Sequence, residues 1–324
     1  MDQINKARTS SEFWHRIHKF IGNSSTNTVE PLQIGSSNNY DFDDGKISER
    51  LANTHIHRRV QPSIQYDDSF KDQVESLVSE IISNSEASIN SISCSSDENI
   101  LLSEVIDAIN ELNLDSCPGP DGITAKMIRH GGSLLHSHIH KIISMSFNNG
   151  YFGKPWKKDN KIYIKKPDKS SYHTEKAYRP ISLLSILGKI YEKILFKRIF
   201  HQLETSSFFV NKSLHAYLKF SNSTHALLPM IEDMQHAITN NKIGVALLMD
   251  LEGAFDNAWR EGVIYKLSLA GIKGKLLLSC NSYLQDRFSR NLVNKDAGNW
   301  IQSTIHRLPS RRCSECTFLS YLIT

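Results

Sequence analysis

A short apolar run that ends on an acidic residue constrains this chain more than any other stretch. Residues 245–249 read Val-Ala-Leu-Leu-Met, and Asp250 follows directly. The run is too short for a helix of its own and has no helical stripe, so it predicts a buried strand. Gly253 breaks this strand, and a helical pattern starts at Trp259. A carboxylate at the end of a buried strand, with the carbonyl of Leu251 beside it, is a suitable position for a metal ligand.

The same stretch has a simpler interpretation. Residues 250–256 read Asp-Leu-Glu-Gly-Ala-Phe-Asp, and such a segment can be a surface turn in which Asp256 caps the helix that follows. One short motif does not separate a metal site from a turn, so the choice depends on the stretches that precede it.

Length and composition limit the classes of protein that fit. The chain has 324 residues, enough for about two domains with a real core. Its formal net charge of +4 is too small to indicate nucleic-acid binding by itself, so the position of the charge matters more. The five cysteines are irregularly spaced, which argues against a disulfide framework and for a reducing compartment. Because there is no membrane-length apolar run and no secretory signal, we expect an intracellular protein of the nucleus or cytoplasm, neither secreted nor membrane-bound.

Residues 1–95 are polar and rich in Ser, Asn and Asp. Apolar residues recur at helical spacing over 12–21, 44–58 and 68–84, whereas 22–43 has the composition of turns and loops. We therefore predict an N-terminal connector that is partly helical, partly disordered and without chemistry of its own.

A loop rich in proline and glycine follows the next predicted helix. That helix is expected over 103–112, with Ser103 as its cap. Two prolines and two glycines within five positions then fix a tight, irregular loop. The loop is either a plain connector between helices or a contact surface. Its residues are Pro118, Gly119, Pro120, Asp121 and Gly122.

Basic residues are concentrated in residues 154–179, where nine lysines and arginines stand against three acidic residues. Apolar and basic residues alternate over 161–166, which predicts a strand with Ile162 and Ile164 on one face, within a hairpin-like element. A charge run of this kind is usually a solvated face. The alternative is a surface for the phosphates of a polyanion.

Three longer helices are predicted from apolar stripes. They cover 133–149, 185–203 and 225–239, and the last is expected to begin at a Thr224 cap and to turn its stripe toward the core. That stripe consists of Leu228, Ile231, Met234, Gln235 and Ile238. The first helix carries three alternating histidines, at 136, 138 and 140, for which we predict a solvated face rather than a metal site.

Four motifs, in the same order, resemble the reverse transcriptases of non-LTR retrotransposons of the jockey-like LINE class. They read PGPDGI at 118–123, YRPISLL at 178–184, GKIYEK at 188–193 and DLEGAFD at 250–256. The resemblance extends over residues 100–305. One segment departs from the family pattern, because the arginine that is usual near Leu218 or Lys219 is absent. This departure weakens the prediction of a template contact at that position.

The resemblance implies an α+β fold that consists of the fingers and the first half of the palm of a right-hand polymerase. Residues 96–240 would form the fingers and the start of the palm, and residues 241–305 the palm with the first catalytic motif. The activity of the family is RNA-directed DNA synthesis by two-metal nucleotidyl transfer. The implied partners are an RNA template, a DNA primer and deoxynucleoside triphosphates, and the implied cofactor is Mg²⁺.

The resemblance also implies roles for individual residues. Asp250 is the implied catalytic metal ligand, assisted by the carbonyl of Leu251, and Phe255 packs under the sugar and selects deoxynucleotides. The loop at 118–122 lies near the template in this family. The implied triphosphate contacts are Arg179 together with Lys161 or Lys165.

The tail after Trp300 does not continue the family pattern, which expects a PQG loop and later a YxDD turn with paired aspartates. If the codons of residues 307–317 are read one frame off, they can spell Gly-x-Pro-Gln-Gly-Gly-Val-Leu-Ser-Ala-Leu, which is the missing loop. We therefore predict a frameshifted tail over 306–324. The pair Cys313 and Cys316 is then an accident of translation rather than half of a zinc site.

The missing aspartates bear directly on activity. Without them the chain is expected to bind Mg²⁺ weakly and to lack polymerase activity alone. Its missing partner would be the C-terminal half of the polymerase. Three functions stay open: an active enzyme completed by a longer product, an inert relic of a transposon, and a non-catalytic RNA- or DNA-binding remnant.

Overall fold

The fold is given by a computed structural model that describes residues 29–34, 39–55, 67–88, 98–167, 169–205, 222–249, 259–294 and 296–302. Four predicted features lie outside these ranges: the helix at 12–21, the segment near Leu218, the tail at 306–324, and the catalytic motif with Asp250, Leu251 and Phe255.

Helices and strands are mixed along the described part of the chain, which confirms the α+β class. The helices are α1 Asp44–His55, α2 Asp68–Ser88, α3 Leu102–Asn110, α4 Ala125–His130, α5 Gly132–Asn148, α6 Ile186–Thr205, α7 Ser223–Thr239, α8 Arg260–Leu269 and α9 Gly274–Leu284. The strands are β1 Leu32–Gln33, β2 Tyr40–Asp41, β3 Lys158–Lys165, β4 Tyr178–Leu184, β5 Phe288–Val293, β6 Asp296–Ala297 and β7 Ile301–Gln302.

The main sheet is built around β3. Strand β4 pairs with it antiparallel, with Ile162 opposite Ile181, and this pairing confirms the predicted hairpin. On its other edge β3 pairs parallel with β5, starting with Lys158 opposite Phe288. The short strands β6 and β7 both pair antiparallel with β5, whereas β1 and β2 form a separate small hairpin.

Alternation along β3 gives the sheet two different faces. On the first face Ile162, Ile164 and their neighbours on β4 pack against Cys117, which precedes the proline-glycine loop. We call this the loop face. On the second face Tyr163 packs in a cluster whose other members come mainly from residues 29–51. We call this the N-terminal face.

Residues 29–34 and 39–55, predicted as part of a connector, are fixed to the N-terminal face by an arginine. Arg50 donates hydrogen bonds to the carboxylates of Asp41 and Glu175, each at 2.8 Å. It also donates to the carbonyl oxygens of Leu32 and Gln33, at 3.2 and 2.7 Å. A planar guanidinium with five donors suits such a junction, since it satisfies several acceptors at once. Arg50 therefore joins β1, β2, α1 and the segment before β4.

The helices form the largest core, in which Phe152, Tyr191 and the apolar faces of α2, α3, α5, α6, α8 and α9 pack together. The Tyr191 ring stacks on Phe152 with ring centres 5.5 Å apart. The Tyr191 hydroxyl donates to Ser279 Oγ at 2.9 Å, which satisfies its polar atom inside the core. Burial raises the pKa of this hydroxyl.

Two predicted helix caps are wrong. Helix α3 begins after Leu101, and Ser103 lies inside it. The Glu104 carboxylate reaches back to accept from Leu101 N at 2.7 Å, because a glutamate at the third helical position has this reach. Helix α7 begins after Asn222 rather than at Thr224, since Asn222 Oδ1 accepts from His225 N at 3.1 Å.

The apolar segment before Asp250 is exposed, and the predicted strand is absent from the described residues. Residues 242–249 have no strand pairing; Val245 is 89% exposed and Leu248 is 91% exposed. Helix α7 likewise has no buried residue, so the prediction that its apolar stripe faces the core is wrong. An apolar run becomes a buried strand only where a neighbouring strand accepts its backbone hydrogen bonds, and no described strand does so.

The three histidines of α5 do not form a metal site. His136 and His140 are half-buried, and their Nε2 atoms lie 2.9 and 2.8 Å from the carbonyl oxygens of Ile128 and Ile100. The prediction of a solvated face is therefore wrong for these two and holds for His138, which is exposed. No cluster of three or more potential metal ligands occurs among the described residues. In the same part of the chain, no helix has the length and apolar character needed to cross a membrane.

Candidate nucleic-acid interface

The proline-glycine loop is held against the backbone at the end of β4. Gly119 is buried there, and a Cβ on it would lie 2.5 Å from Ser185 N and 2.6 Å from the carbonyl carbon of Leu184. Real Cβ atoms do not approach backbone this closely, so only glycine fits. Cys117 is buried just before the loop, and burial raises the pKa of its thiol to about 11. The loop is thus packed onto the sheet and is more than a connector.

The carboxylate of Asp121 stabilises the conformation of this loop through two hydrogen bonds. Asp121 Oδ2 accepts a hydrogen bond from Ser185 Oγ at 2.6 Å, and Asp121 Oδ1 accepts from Ile123 N at 3.2 Å. Gly122 has a φ of +69°, a left-handed conformation that glycine adopts without strain. Because the Asp121 carboxylate accepts from these two donors of the chain itself, its charge is partly satisfied within the loop.

A basic, partly aromatic opening lies beside the loop. It has a volume of about 420 Å³ and is lined by Pro120, Asp121, Lys154, Pro155, Lys158, Arg290 and Trp300. Three of these side chains are cationic and one is a carboxylate. An opening with this balance attracts polyanions such as nucleic-acid phosphates.

Strand register brings the cations of the opening together. Lys158 is the first residue of β3, and Arg290 lies on β5, where its Nε donates to Asn160 Oδ1 at 2.7 Å. Trp300 directly precedes β7, whose pairing with β5 places it beside Arg290. The Arg290 guanidinium lies 4.6 Å, and the Lys158 ammonium 5.1 Å, from the centre of the Trp300 ring. These are cation–π distances.

Arg179, a predicted triphosphate contact, is exposed on the loop face. It lies opposite Ile164 in the β3–β4 register, and directly opposed residues share a face. Lys158 is six positions before Ile164 on β3, so the two ends of this basic surface are about 20 Å apart. The loop face therefore carries cations at both ends, and the proline-glycine loop packs at the Lys158 end, beside Leu184 and Ser185.

The two lysines predicted to accompany Arg179 lie on the N-terminal face instead. Lys161 is buried, and its Nζ lies 3.2 Å from Asp159 Oδ2 and 2.8 Å from Ser182 Oγ. Lys165 forms an ion pair with Glu30. The structure thus brings neither lysine together with Arg179, and each lysine is neutralised by an internal carboxylate. Their contact with a triphosphate stays a prediction.

Sequence reasoning missed the convergence of Lys158, Arg290 and Trp300, because it depends on the parallel pairing of β3 with β5. Long-range parallel pairing leaves no local signal in a sequence. The placement of Lys161 and Lys165 did have a signal. Strand alternation already sets both residues on the face opposite Ile162 and Ile164.

Comparison with known proteins supports the resemblance seen in the motifs. No protein-family model matches the chain. An RNA-directed DNA polymerase from mobile element jockey of Drosophila melanogaster is 29% identical over 192 residues, which are 58% of this chain and 20% of that protein. The corresponding jockey protein of Drosophila funebris is 27% identical over 171 residues, 52% of this chain and 18% of that protein.

A protein from a different retrotransposable element is similar to this chain over a comparable length. The retrovirus-related Pol polyprotein from type-1 retrotransposable element R1 of Bradysia coprophila is 27% identical over 171 residues, 52% of this chain and 16% of that protein. The chain therefore spans one fifth or less of the length of these curated relatives. The relatives confirm the predicted resemblance: over more than half of its length, this chain is similar to polymerases of jockey and R1 non-LTR retrotransposons.

Proposed function

We propose that this chain is the fingers and first part of the palm of an RNA-directed DNA polymerase from a non-LTR retrotransposon. One observation supports this most strongly. Cys117, directly before the motif loop at 118–122, packs on the sheet face that exposes Arg179, which belongs to a second motif of the family, and the loop lies against the end of the strand that carries Arg179. Two motifs separated by about sixty residues in sequence thus contribute to one basic surface, as a site for template and nucleotide requires.

Nucleotide binding is assigned to Arg179 on the loop face and, as the resemblance implies, to three residues of the first catalytic motif. The Arg179 guanidinium suits the triphosphate, because it stays charged and binds phosphate oxygens in a bidentate manner. Phe255 would pack under the sugar. The carboxylate of Asp250 and the carbonyl of Leu251 are oxygen donors of the kind that Mg²⁺ prefers. Bound Mg²⁺ would stabilise the developing charge on the transferred phosphoryl group.

The basic opening is assigned to the template and primer. Its cations would contact backbone phosphates, which position a strand without reading its sequence. The Pro118–Gly122 loop would hold the template strand against this opening. Since Gly119 and Asp121 tie the loop to Leu184 and Ser185, the template contact is coupled to the strand that carries Arg179.

A second candidate function is a non-catalytic RNA- or DNA-binding remnant. The observation that favours it is the exposed, unpaired segment at 242–249, which leads into Asp250. Two-metal chemistry needs carboxylates held at fixed positions, and no strand among the described residues pairs with this segment. Both functions share the basic loop face, and they differ in whether nucleotides are incorporated.

Primer extension separates the two functions. The purified chain is incubated with an RNA template, a DNA primer, deoxynucleoside triphosphates and Mg²⁺, beside a longer product in which the frame after Trp300 is restored. We expect no extension by the chain alone and extension by the longer product. Asp250→Ala in the longer product should abolish extension, whereas Asp233→Ala, which changes an exposed aspartate of α7, should leave it intact.

One outcome would contradict the expected inactivity of the chain alone, and another would contradict the polymerase assignment. Extension by the chain alone, lost in Asp250→Ala, would show that the paired aspartates are dispensable. If the longer product binds primer and template but never incorporates a nucleotide, the polymerase assignment is wrong and the binding remnant is supported.

A further inference from the structure

A partly exposed tryptophan stands at the mouth of the basic opening. Trp300 is 36% exposed, although an indole is the largest apolar side chain and is usually well buried. The pairing of β7 with β5 fixes its backbone, and the Arg290 and Lys158 cations lie against its ring. The ring is therefore held in a defined position while part of it stays accessible to a ligand.

The composition of the opening fits a nucleotide unit of a single strand. Single-stranded nucleic acid is bound by cationic grooves that follow the phosphates and by aromatic rings on which bases stack. A base inside a duplex has both faces covered by its neighbours, so the indole reaches only an unpaired base. The volume of about 420 Å³ lies within the usual range for sites that enclose a small ligand.

The charges around the opening support an anionic ligand. The carboxylate of Asp121 accepts hydrogen bonds from Ser185 Oγ and Ile123 N, so part of its charge is satisfied within the chain. Arg290 is oriented by the hydrogen bond from its Nε to Asn160. Lys154 is exposed at the rim. Phosphates on either side of a stacked base would therefore meet cations.

We infer that this opening binds one nucleotide unit of single-stranded RNA or DNA, with the Trp300 indole stacked on its base and Lys158 and Arg290 on the flanking phosphates. The inference rests on the proposed function for the premise that the chain contacts nucleic acid. It adds a base-stacking residue that none of the four motifs contains. A template strand before it is copied and a displaced strand both present such an unpaired base.

Equilibrium binding of short labelled oligomers to the full chain tests the inference. The probes are an oligouridylate, an oligothymidylate of the same length, and an abasic oligomer with the same number of phosphates. Trp300→Ala should bind the base-containing oligomers about 5-fold to 150-fold more weakly, the effect expected for loss of one stacked base. Trp300→Phe should retain most of the affinity. Phe42→Ala, which removes an aromatic residue that is 76% exposed elsewhere, should have no effect.

The abasic oligomer makes the outcome specific to stacking. Wild type and Trp300→Ala should bind it equally, because phosphate contacts do not need the ring. A larger loss of affinity for the oligouridylate in Trp300→Ala would identify RNA as the stacked strand, and a larger loss for the oligothymidylate would identify DNA. Equal affinity of wild type and Trp300→Ala for every oligomer would overturn the stacking role and leave the proposed function standing. If wild type binds none of the oligomers at low salt, the proposed function fails together with the inference.

A second measurement is independent of the alanine variant and of its folding. Binding of oligouridylate to the wild type should quench tryptophan fluorescence, and the abasic oligomer should not. Trp300→Phe, with an unchanged circular dichroism spectrum, should lose this quenching while still binding. Quenching that persists in Trp300→Phe would place the base against another tryptophan and refute the inference.

Discussion

Replacing Gly119 by alanine is expected to displace the loop on which the proposed interface depends. The new Cβ would lie 2.5 Å from Ser185 N and 2.6 Å from the carbonyl carbon of Leu184. Both contacts are backbone atoms, so they cannot rotate away as the end of a flexible side chain can. Widening the contact from 2.5 Å to an ordinary 3.4 Å requires a displacement of about 0.9 Å.

This displacement has a definite energetic cost. It would stretch the hydrogen bond from Ser185 Oγ to Asp121 Oδ2, which is now 2.6 Å long. Overpacking of a buried site costs about 1–3 kcal/mol, and a hydrogen bond to a charged group contributes about 1.5–3 kcal/mol. We therefore expect Gly119→Ala to lower the free energy of unfolding by about 2–5 kcal/mol, with partial relaxation favouring the lower values.

Urea unfolding monitored by circular dichroism measures this loss. Gly122→Asn is the matched control, because position 122 has open space around it and asparagine tolerates the left-handed backbone there. The control should stay within about 0.5 kcal/mol of wild type. Gly119→Ala should also bind RNA more weakly, since the loop would no longer sit against β4. If Gly119→Ala has the same free energy of unfolding as the control and the same RNA affinity as wild type, the close packing described for this loop is refuted.

Three further predictions concern an ion pair, two thiols and the N-terminal segment. Burial opposes ionisation of Glu104, but hydrogen bonds from Arg198 and from Leu101 N outweigh burial and lower the pKa of the carboxyl. Ionised Glu104 therefore stabilises the fold above about pH 4.5, and this stabilisation is lost as the pH falls through the lowered pKa. In urea unfolding, Glu104→Gln should lose less stability than wild type when the pH is lowered over this range. Burial raises the pKa of the Cys117 thiol to about 11 and that of the Cys280 thiol to about 12. Iodoacetamide at about pH 8 should therefore leave both thiols unmodified until the chain is unfolded. Rapid alkylation of either thiol in the folded chain, detected by mass spectrometry, would contradict this. Arg50→Ala removes hydrogen bonds to two carboxylates and two carbonyl oxygens. It should lower the free energy of unfolding by about 2 kcal/mol or more and expose residues 29–34 and 39–55 to proteolysis. Unchanged protease resistance would count against the described junction.

Local patterns predicted much of the secondary structure. The helix predicted over 185–203, after YRPISLL, matches α6 to within two residues at each end. The β3–β4 hairpin followed from alternation of Ile162 and Ile164 with basic residues. Such features depend on neighbours in sequence, and periodicity records those neighbours directly.

Features that depend on distant partners were predicted less well. The apolar run at 245–249 has the composition of a buried strand, but composition does not supply the strand that must pair with it. Arg50 had no visible role in sequence, because its acceptors come from residues as far away as Glu175. The cluster around Trp300 likewise depends on pairing among β3, β5 and β7. The placement of Asp250, Leu251 and Phe255 stays a prediction.

The proposed function requires that the loop face binds the polyanionic substrates of a reverse transcriptase. The most direct measurement is the affinity of the purified chain for an RNA template annealed to a DNA primer, as a function of salt concentration. We expect log affinity to fall linearly with log salt, and Lys158→Ala, which removes a cation of the opening assigned to template and primer, to reduce the magnitude of the slope by about one. Lys141→Ala, which removes an exposed cation of α5, should leave the slope unchanged. Absence of binding at low salt, or equal slopes for wild type and Lys158→Ala, would contradict the claim.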